Sequence, residues 1–248
     1  MPSLGSHLAS ARLLADRLVH SSIDADRGSY YVGSTAPDIR VITRLERSRY
    51  HFFELDEFEG QDSITRMFEE HPQLQDTVKL DAATRAFMAG YLTHLAMDED
   101  YIERVYRQHF AAAIWGDDPR GNALDRILQY ELDRREREDV PAMAEIREVL
   151  AHCTAEADVA FIARDTLGQW LDVVRGIAAQ PPTWDRFPQM ITRHLTGAGL
   201  SEQEIQEFCR DIPELLKESL DHVTEPRIRS FLEQSMDRSL ERVRGYLS

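Results

Sequence analysis

An all-α fold follows from three features of the sequence. Apolar residues recur at helical spacing over most of the chain. No segment alternates between apolar and polar residues as a half-buried strand does. Glycine and proline are sparse, 12 and 10 in 248 residues, which disfavours turn-rich β folds and disorder alike. The expected architecture is a multi-helix bundle plus C-terminal helices. The length fits one large domain. Residues 1–180 read as a helical core and residues 181–248 as a helical extension packed on it. The pair Pro181-Pro182 marks the break.

The elements follow in order. His7, Ala11, Leu14 and Leu18 share a stripe, so the spacing predicts a helix over 6–19 with His7 at its inward-facing start. Residues 21–36, with Gly28, Gly33 and small polar side chains, read as a loop. Pro37 suits a first helical position with Ser34 or Thr35 as cap, opening a helix towards Arg49. Residues 54–62 are acidic and loop-like, a short helix over 63–70 stops before His71-Pro72, and Asp81 opens a long helix to about His109. After a turn at 115–120, helices are expected over 122–138, 142–152, 156–179, 184–196, 201–217 and 226–247. Ser201 with Glu204 three residues on forms a capping box.

Composition narrows the function. With 42% hydrophobic and 29% charged residues the chain reads as an ordinary globular protein. Its net charge of −15 repels phosphate backbones and anionic lipid, so neither nucleic acid nor stable membrane association is expected. No apolar run approaches the roughly 20 residues that cross a bilayer, and the N-terminus lacks the pattern of a secretory signal. Cys153 and Cys209 stand far apart and outside any C-x-x-C pair, which reads as two thiols in a reducing cytoplasm.

The strongest local signal is Gly90-Tyr91-Leu92-Thr93-His94-Leu95-Ala96-Met97-Asp98. His94 and Asp98 are four residues apart and share a helix face with Phe87, Tyr91 and Ile102. A carboxylate pointing into a core is costly unless paired or bound to a metal. Taken alone, the pair reads more simply as a hydrogen bond. Gly90 permits close approach of another element. A second signal is Gly33-Ser34-Thr35-Ala36-Pro37-Asp38, with Asp38 in the first turn of a helix. A third is His51 among Tyr50, Phe52 and Phe53, and a fourth is His7. Each has an ordinary structural reading by itself. Together, His7, Asp38, His51, His94 and Asp98 form a nitrogen and oxygen donor set suited to zinc. A helical iron site is less well supported, since no Glu-x-x-His pair occurs.

This order of motifs over residues 1–135 resembles the zinc-dependent phospholipase C family, which shares a superfamily with single-strand nucleases. The resemblance implies an all-α bundle around clustered metal ions and hydrolysis of phosphoesters by metal-activated water. It implies that Asp38, His51, His94 and Asp98 form one site, with Asp38 ligating and orienting or deprotonating the water. Asp98 would bridge to a second ion held partly by His7. In secreted members the mature N-terminal residue completes that second site, where this chain has Met1-Pro2.

Two departures stand out. Arg104 and Ile127 occupy positions where the family has histidines, although Glu131 is kept. Arginine stays protonated and isoleucine has no donor atom, so one or two ions are expected. An Arg104–Glu131 ion pair is expected where the lost ion would sit, with metal ligation by Glu131 the alternative. His109 reads as a surface residue, Tyr30-Tyr31 as packing, and the run Arg134 to Glu138 as a solvated face. The expected function is a metal-dependent hydrolase of phosphoesters using zinc-activated water. The alternative is a non-catalytic, metal-stabilised helical binding or scaffold protein.

Overall fold

The structure is a computed structural model and describes residues 3–248 except 56, 58, 59, 117 and 198, with backbone only at 193 and 194. Met1 and Pro2, and part of the acidic segment 54–62 and of the turn 115–120, lie outside the described residues. Among the described residues the regular structure is all helical. The helices are α1 (Leu4–Leu18), α2 (Ser21–Ala25), α3 (Arg27–Gly33), α4 (Arg40–Thr43), α5 (Ser48–His51), α6 (Ser63–Glu70), α7 (Ala82–Tyr101), α8 (Arg107–His109) and α9 (Ala112–Trp115). They continue as α10 (Pro119–Arg137), α11 (Val140–His152), α12 (Arg164–Ala178), α13 (Phe187–Gly197), α14 (Glu202–Arg210), α15 (Ile212–Val223) and α16 (Glu225–Leu247). A tighter 3₁₀ turn, Ala36–Ile39, precedes α4, and a π-helical segment, Ile102–Tyr106, continues α7.

Helix α7 is the axis of the molecule, and nearly all of its residues from Ala86 to Tyr101 are buried. Asp81 starts it by accepting from the backbone N–H of Thr84 at 2.7 Å. Helix α3 crosses it where two glycines face each other. A Cβ on Gly33 would strike the carbonyl of Phe87, and one on Gly90 would strike the carbonyl of Tyr30. Backbones meet here without side chains between them.

That contact corrects the loop reading of 21–36. The segment forms α2 and α3, with Asp26 accepting from Ser29 N at 2.9 Å and Ser29 Oγ at 2.8 Å to start α3. Gly28 and Gly33 serve close packing rather than turns, since a Cβ on Gly28 would meet the Cys153 side chain. The single helix expected over 37–49 is instead broken at Arg44, which takes a left-handed conformation at φ 61°, and resumes as α5. The helix expected from 156 starts at Arg164. Ahead of it an irregular stretch buries Val159, Phe161 and Ile162, with Phe161 against Phe52, His71 and Tyr91. Tertiary packing outweighs helix propensity there. The helix expected over 201–217 divides at Asp211, and Pro213 starts α15. The capping box at Ser201 and Glu204 is present.

Two apolar clusters form the core. One gathers α1, α3, α7, α11, α12 and the end of α16; the other gathers α10, α13 and α15 with Tyr101, Ile228 and Phe231. Residues beyond Pro182 therefore enter both clusters. Helix α16 returns to α7, where Arg238 donates to Asp100 Oδ1 at 2.6 Å and Glu99 Oε2 at 2.8 Å. Both carboxylates are buried, and unpaired they would be strongly unfavourable.

Adding a methyl group at Gly90 is expected to destabilise the fold by about 3 kcal/mol, because a backbone carbonyl rather than a flexible side chain must yield. On α12, a methyl at exposed Gly176 meets nothing within 4 Å, and Gly176→Ala is expected to stabilise by about 0.5–1 kcal/mol. Urea denaturation of both variants checks the opposite signs.

Candidate metal centre

All five expected donors converge, and each is placed by an identifiable contact. His94 and Asp98 lie one turn apart on α7. The α3–α7 crossing brings the Ser34 carbonyl to 2.9 Å from His94 Nδ1. A carbonyl only accepts, so Nδ1 carries a proton, and Nε2, on the Asp98 side, is the nitrogen that would ligate a cation once its own proton is lost. His7 sits in the first turns of α1. Asp133 of α10 fixes that end, its carboxylate accepting from Ser6 N at 3.1 Å and from Ser3 Oγ. His51 ends α5, which the Tyr91 hydroxyl anchors by donating to the Tyr50 carbonyl. Asp38 lies in the 3₁₀ turn, and Trp170 steadies the preceding loop through Thr35 Oγ1 at 3.1 Å.

Asp98 is the hub. Its Oδ1 lies 3.3 Å from His7 Nε2, and its Oδ2 lies 3.2 Å from His51 Nε2 and 3.5 Å from His94 Nε2. Asp38 Oδ1 is 3.5 Å from His51 Nε2. The rings of His7 and His94 stack at 3.6 Å, tilted by 12°. The side chains of His7, His51, His94 and Asp98 are at most 3% exposed, whereas Asp38 is 18% exposed. The centre therefore opens to solvent at Asp38.

Arg47 also reaches the hub, and the sequence reading missed it. Its NH2 donates to Asp98 Oδ2 at 2.9 Å and its NH1 to the Phe53 carbonyl at 3.0 Å. The signal was its place four residues before His51, one helical turn away on the same face. Ser34 and Asp133 were missed as positioning groups because both act from neighbouring helices.

Electrostatics separate the titrating groups. Burial opposes ionisation of Asp98, but the charge of His94 and the imidazoles of His51 and His7 outweigh it and hold its carboxyl well below the usual range. Burial likewise opposes ionisation of Asp38, and His51 and His94 bring it down to about 2. Burial, reinforced by repulsion from His94, lowers His7 to about 4. His94 is also opposed by burial, yet Asp98 and Asp38 raise it.

The donors suit a cation. Both ring nitrogens of His7 and of His51, His94 Nε2 and Asp98 Oδ1 are buried without a hydrogen-bond partner. Each such atom costs about 1–3 kcal/mol, and a cation ligated by one nitrogen of each ring and by Asp98 would relieve part of that cost. Two sets have their donor atoms within 4.8 Å of one another: His7, His94 and Asp98, and Asp38, His51 and His94. This buried group could hold a metal ion, and His94 belongs to both sets.

The two further expected residues lie outside the cluster. Arg104 does not pair with Glu131. It reaches Asp100 at 3.4 Å and Gln234 of α16. Glu131 is buried but is taken by Arg134 and Arg135, each at 2.7 Å. Arginines three and four residues along the same helix need no tertiary alignment to reach it, so they prevail over a residue on another helix. His109 is buried rather than on the surface, and its carbonyl accepts from Trp115 Nε1 at 2.8 Å. Comparison with protein-family models, curated proteins and solved structures gives no match for this chain.

Because His94 serves both donor sets and balances Asp98, His94→Ala is expected to lose bound metal and about 3 kcal/mol of stability. Metal analysis and thermal melts check this; full metal content with an unchanged melting temperature would place the centre elsewhere. In the metal-free protein His94 is expected to stay protonated above the usual 6.5 while His7 stays neutral down to about 4. His7 thus costs stability as pH falls from 6.5 towards 4, since only the unfolded chain takes up its proton in that window, whereas the raised His94 contributes stability below 6.5 and loses it as pH rises through its folded value. NMR titration of the imidazole protons reads both directions.

Proposed function

We propose that the chain is a metal-dependent hydrolase of phosphoesters, with zinc held by His7, Asp38, His51, His94 and Asp98. The observation that carries this reading is a converged donor set that is buried except at Asp38, an ionised carboxylate 18% exposed to solvent. The resemblance to the zinc-dependent phospholipase C family adds the reaction class, and the residues that carry the resemblance are the ones that converge here. Three imidazoles and two carboxylates are the usual donors to zinc. A bound zinc ion supplies Lewis acidity and lowers the pKa of a bound water.

The chain's own groups divide the remaining work. His94 is locked in one tautomer by the Ser34 carbonyl, so its donor atom needs no reorientation. Asp98 presents one oxygen to each side of the cluster and can serve two positions, consistent with one or two ions. Asp38, held at about 2, is ionised throughout the neutral range. A carboxylate that weakly basic suits accepting a hydrogen bond from water and orienting it better than removing its proton. Small-molecule phosphoesters are the proposed substrates. Neither nucleic acid nor a membrane surface is part of this reading, and among the described residues no helix is long and apolar enough to cross a bilayer. The proposed setting is the reducing cytoplasm, resting on two unpaired thiols, Cys153 and Cys209.

A second reading is a metal-stabilised scaffold without catalysis. The near-complete burial of His7, His94 and Asp98 favours it, since structural sites are closed. Zinc loading followed by assay on p-nitrophenyl phosphate mono- and diesters separates the two. Hydrolysis abolished by chelator and restored by zinc is expected, with Asp38→Asn lowering kcat by about 10²-fold while the protein stays folded. Zinc-dependent stability without turnover would favour the scaffold, and a protein that takes up no metal would overturn both.

A further inference from the structure

The opening of the centre is basic in an otherwise acidic molecule. Residues 40–49 hold Arg40, Arg44, Arg47 and Arg49 against one acidic residue, Glu46, in a chain of net charge −15. This stretch links Asp38 to His51, so the fold sets it beside the opening. Arg40, Arg44 and Arg49 are exposed. Arg47 differs from them. Its side chain is 11% exposed, the second most accessible of the groups around Asp98 after Asp38. Its NH2 shares Asp98 Oδ2 with His51 Nε2 and His94 Nε2, at 2.9, 3.2 and 3.5 Å. A guanidinium that shares one oxygen with two donor histidines lies next to any ligand of an ion held there, on the solvent side.

We infer that Arg47 is the oxyanion-recognising group of this centre, a guanidinium built into its mouth that sets specificity for ligands bearing a phosphate group. The inference rests on the proposed metal centre, and it adds the residue that selects the substrate's charge. A planar guanidinium matches two oxygens of a phosphate, whereas a lysine ammonium acts as a point charge. Burial acts to lower the Arg47 pKa and Asp98 to support its charge, so the cation is poorly hydrated and well disposed to an anion that replaces water. Arg40 is near enough for its charge to be felt at Arg47, which adds to the positive potential at the opening. A neutral ester or amide would gain nothing from this arrangement.

The test is calorimetric titration of inorganic phosphate into the full-length protein after zinc loading, with metal content measured on each sample. The variants are Arg47→Gln, Arg47→Lys and, as an exposed control, Arg49→Gln. Arg47→Gln is expected to bind phosphate at least about tenfold more weakly with its metal content kept. Arg47→Lys should fall between it and wild type, and Arg49→Gln should stay close to wild type. Phosphate affinity within about twofold of wild type in metal-replete Arg47→Gln would overturn the inference, as would an equal loss in Arg49→Gln. Uptake of an additional ion by Arg47→Gln would also overturn it, making Arg47 a stand-in for a cation. If Arg47→Gln does not fold, an unchanged affinity in Arg47→Lys overturns it and a weakened one upholds it. A wild-type protein that takes up no zinc defeats the proposed hydrolase, and phosphate titration of that same protein still judges Arg47. Binding that depends on Arg47 upholds its role; absent or Arg47-independent binding removes it.

Discussion

The site depends on a contact with no side chains in it. At the crossing of α3 and α7, Gly33 and Gly90 let two backbones approach until a Cβ on either would strike a carbonyl of the other helix. That closeness is what brings the Ser34 carbonyl onto His94 Nδ1, and it places the chain leading to Asp38 over the face of α7 that carries Asp98. Separation enough to break that hydrogen bond would leave His94 free to take either tautomer. The buried lone pairs would then lose their common focus. Core packing and the geometry of the donors are thus one constraint.

Much of the centre was legible because its strongest pair is local. His94 and Asp98 are linked by the period of a single helix, and the apolar neighbours Phe87 and Tyr91 mark the face as inward. Gly33 to Asp38 carried signal because glycine, proline and a helix-start carboxylate each have restricted uses. Arg47 was hidden among other arginines, three of which are solvated. Nothing in its own segment distinguishes it, since its role is fixed by a carboxylate on another helix. The Arg104–Glu131 pairing failed for the converse reason: it proposed a long-range partner where Arg134 and Arg135 offered local ones. Among elements, the long regular helices were readable, and α2, α3 and the irregular stretch before α12 were not. Their conformation comes from what they pack against.

The charge arrangement joins the two levels. In a chain of net charge −15, several buried carboxylates lie against nearby cations. Glu131 meets arginines of its own helix, and Glu99 and Asp100 share Arg238. Asp98 is different, because three imidazoles and one guanidinium crowd around it and several of their donor atoms have no hydrogen-bond partner. On α7, Glu99 and Asp100 are met by one guanidinium, whereas around Asp98 ring nitrogens of three histidines lie buried without a hydrogen-bond partner. That contrast, more than the number of histidines, distinguishes a centre from an ion-pair network.

Helix α16 has a bearing on this centre that its distance in sequence conceals. Arg238 grips Glu99 and Asp100, the two residues that follow Asp98 on α7. The grip holds the turn of helix from which Asp98 projects. Docking of the C-terminal helix and any occupation of the proposed centre would therefore be linked equilibria, and such linkage runs both ways with the same free energy. An ion that fixed Asp98 would then tighten the hold on α16, and a partner that pulled α16 away would loosen such an ion. Helix α16 would thereby be a handle on a site built from the first hundred residues.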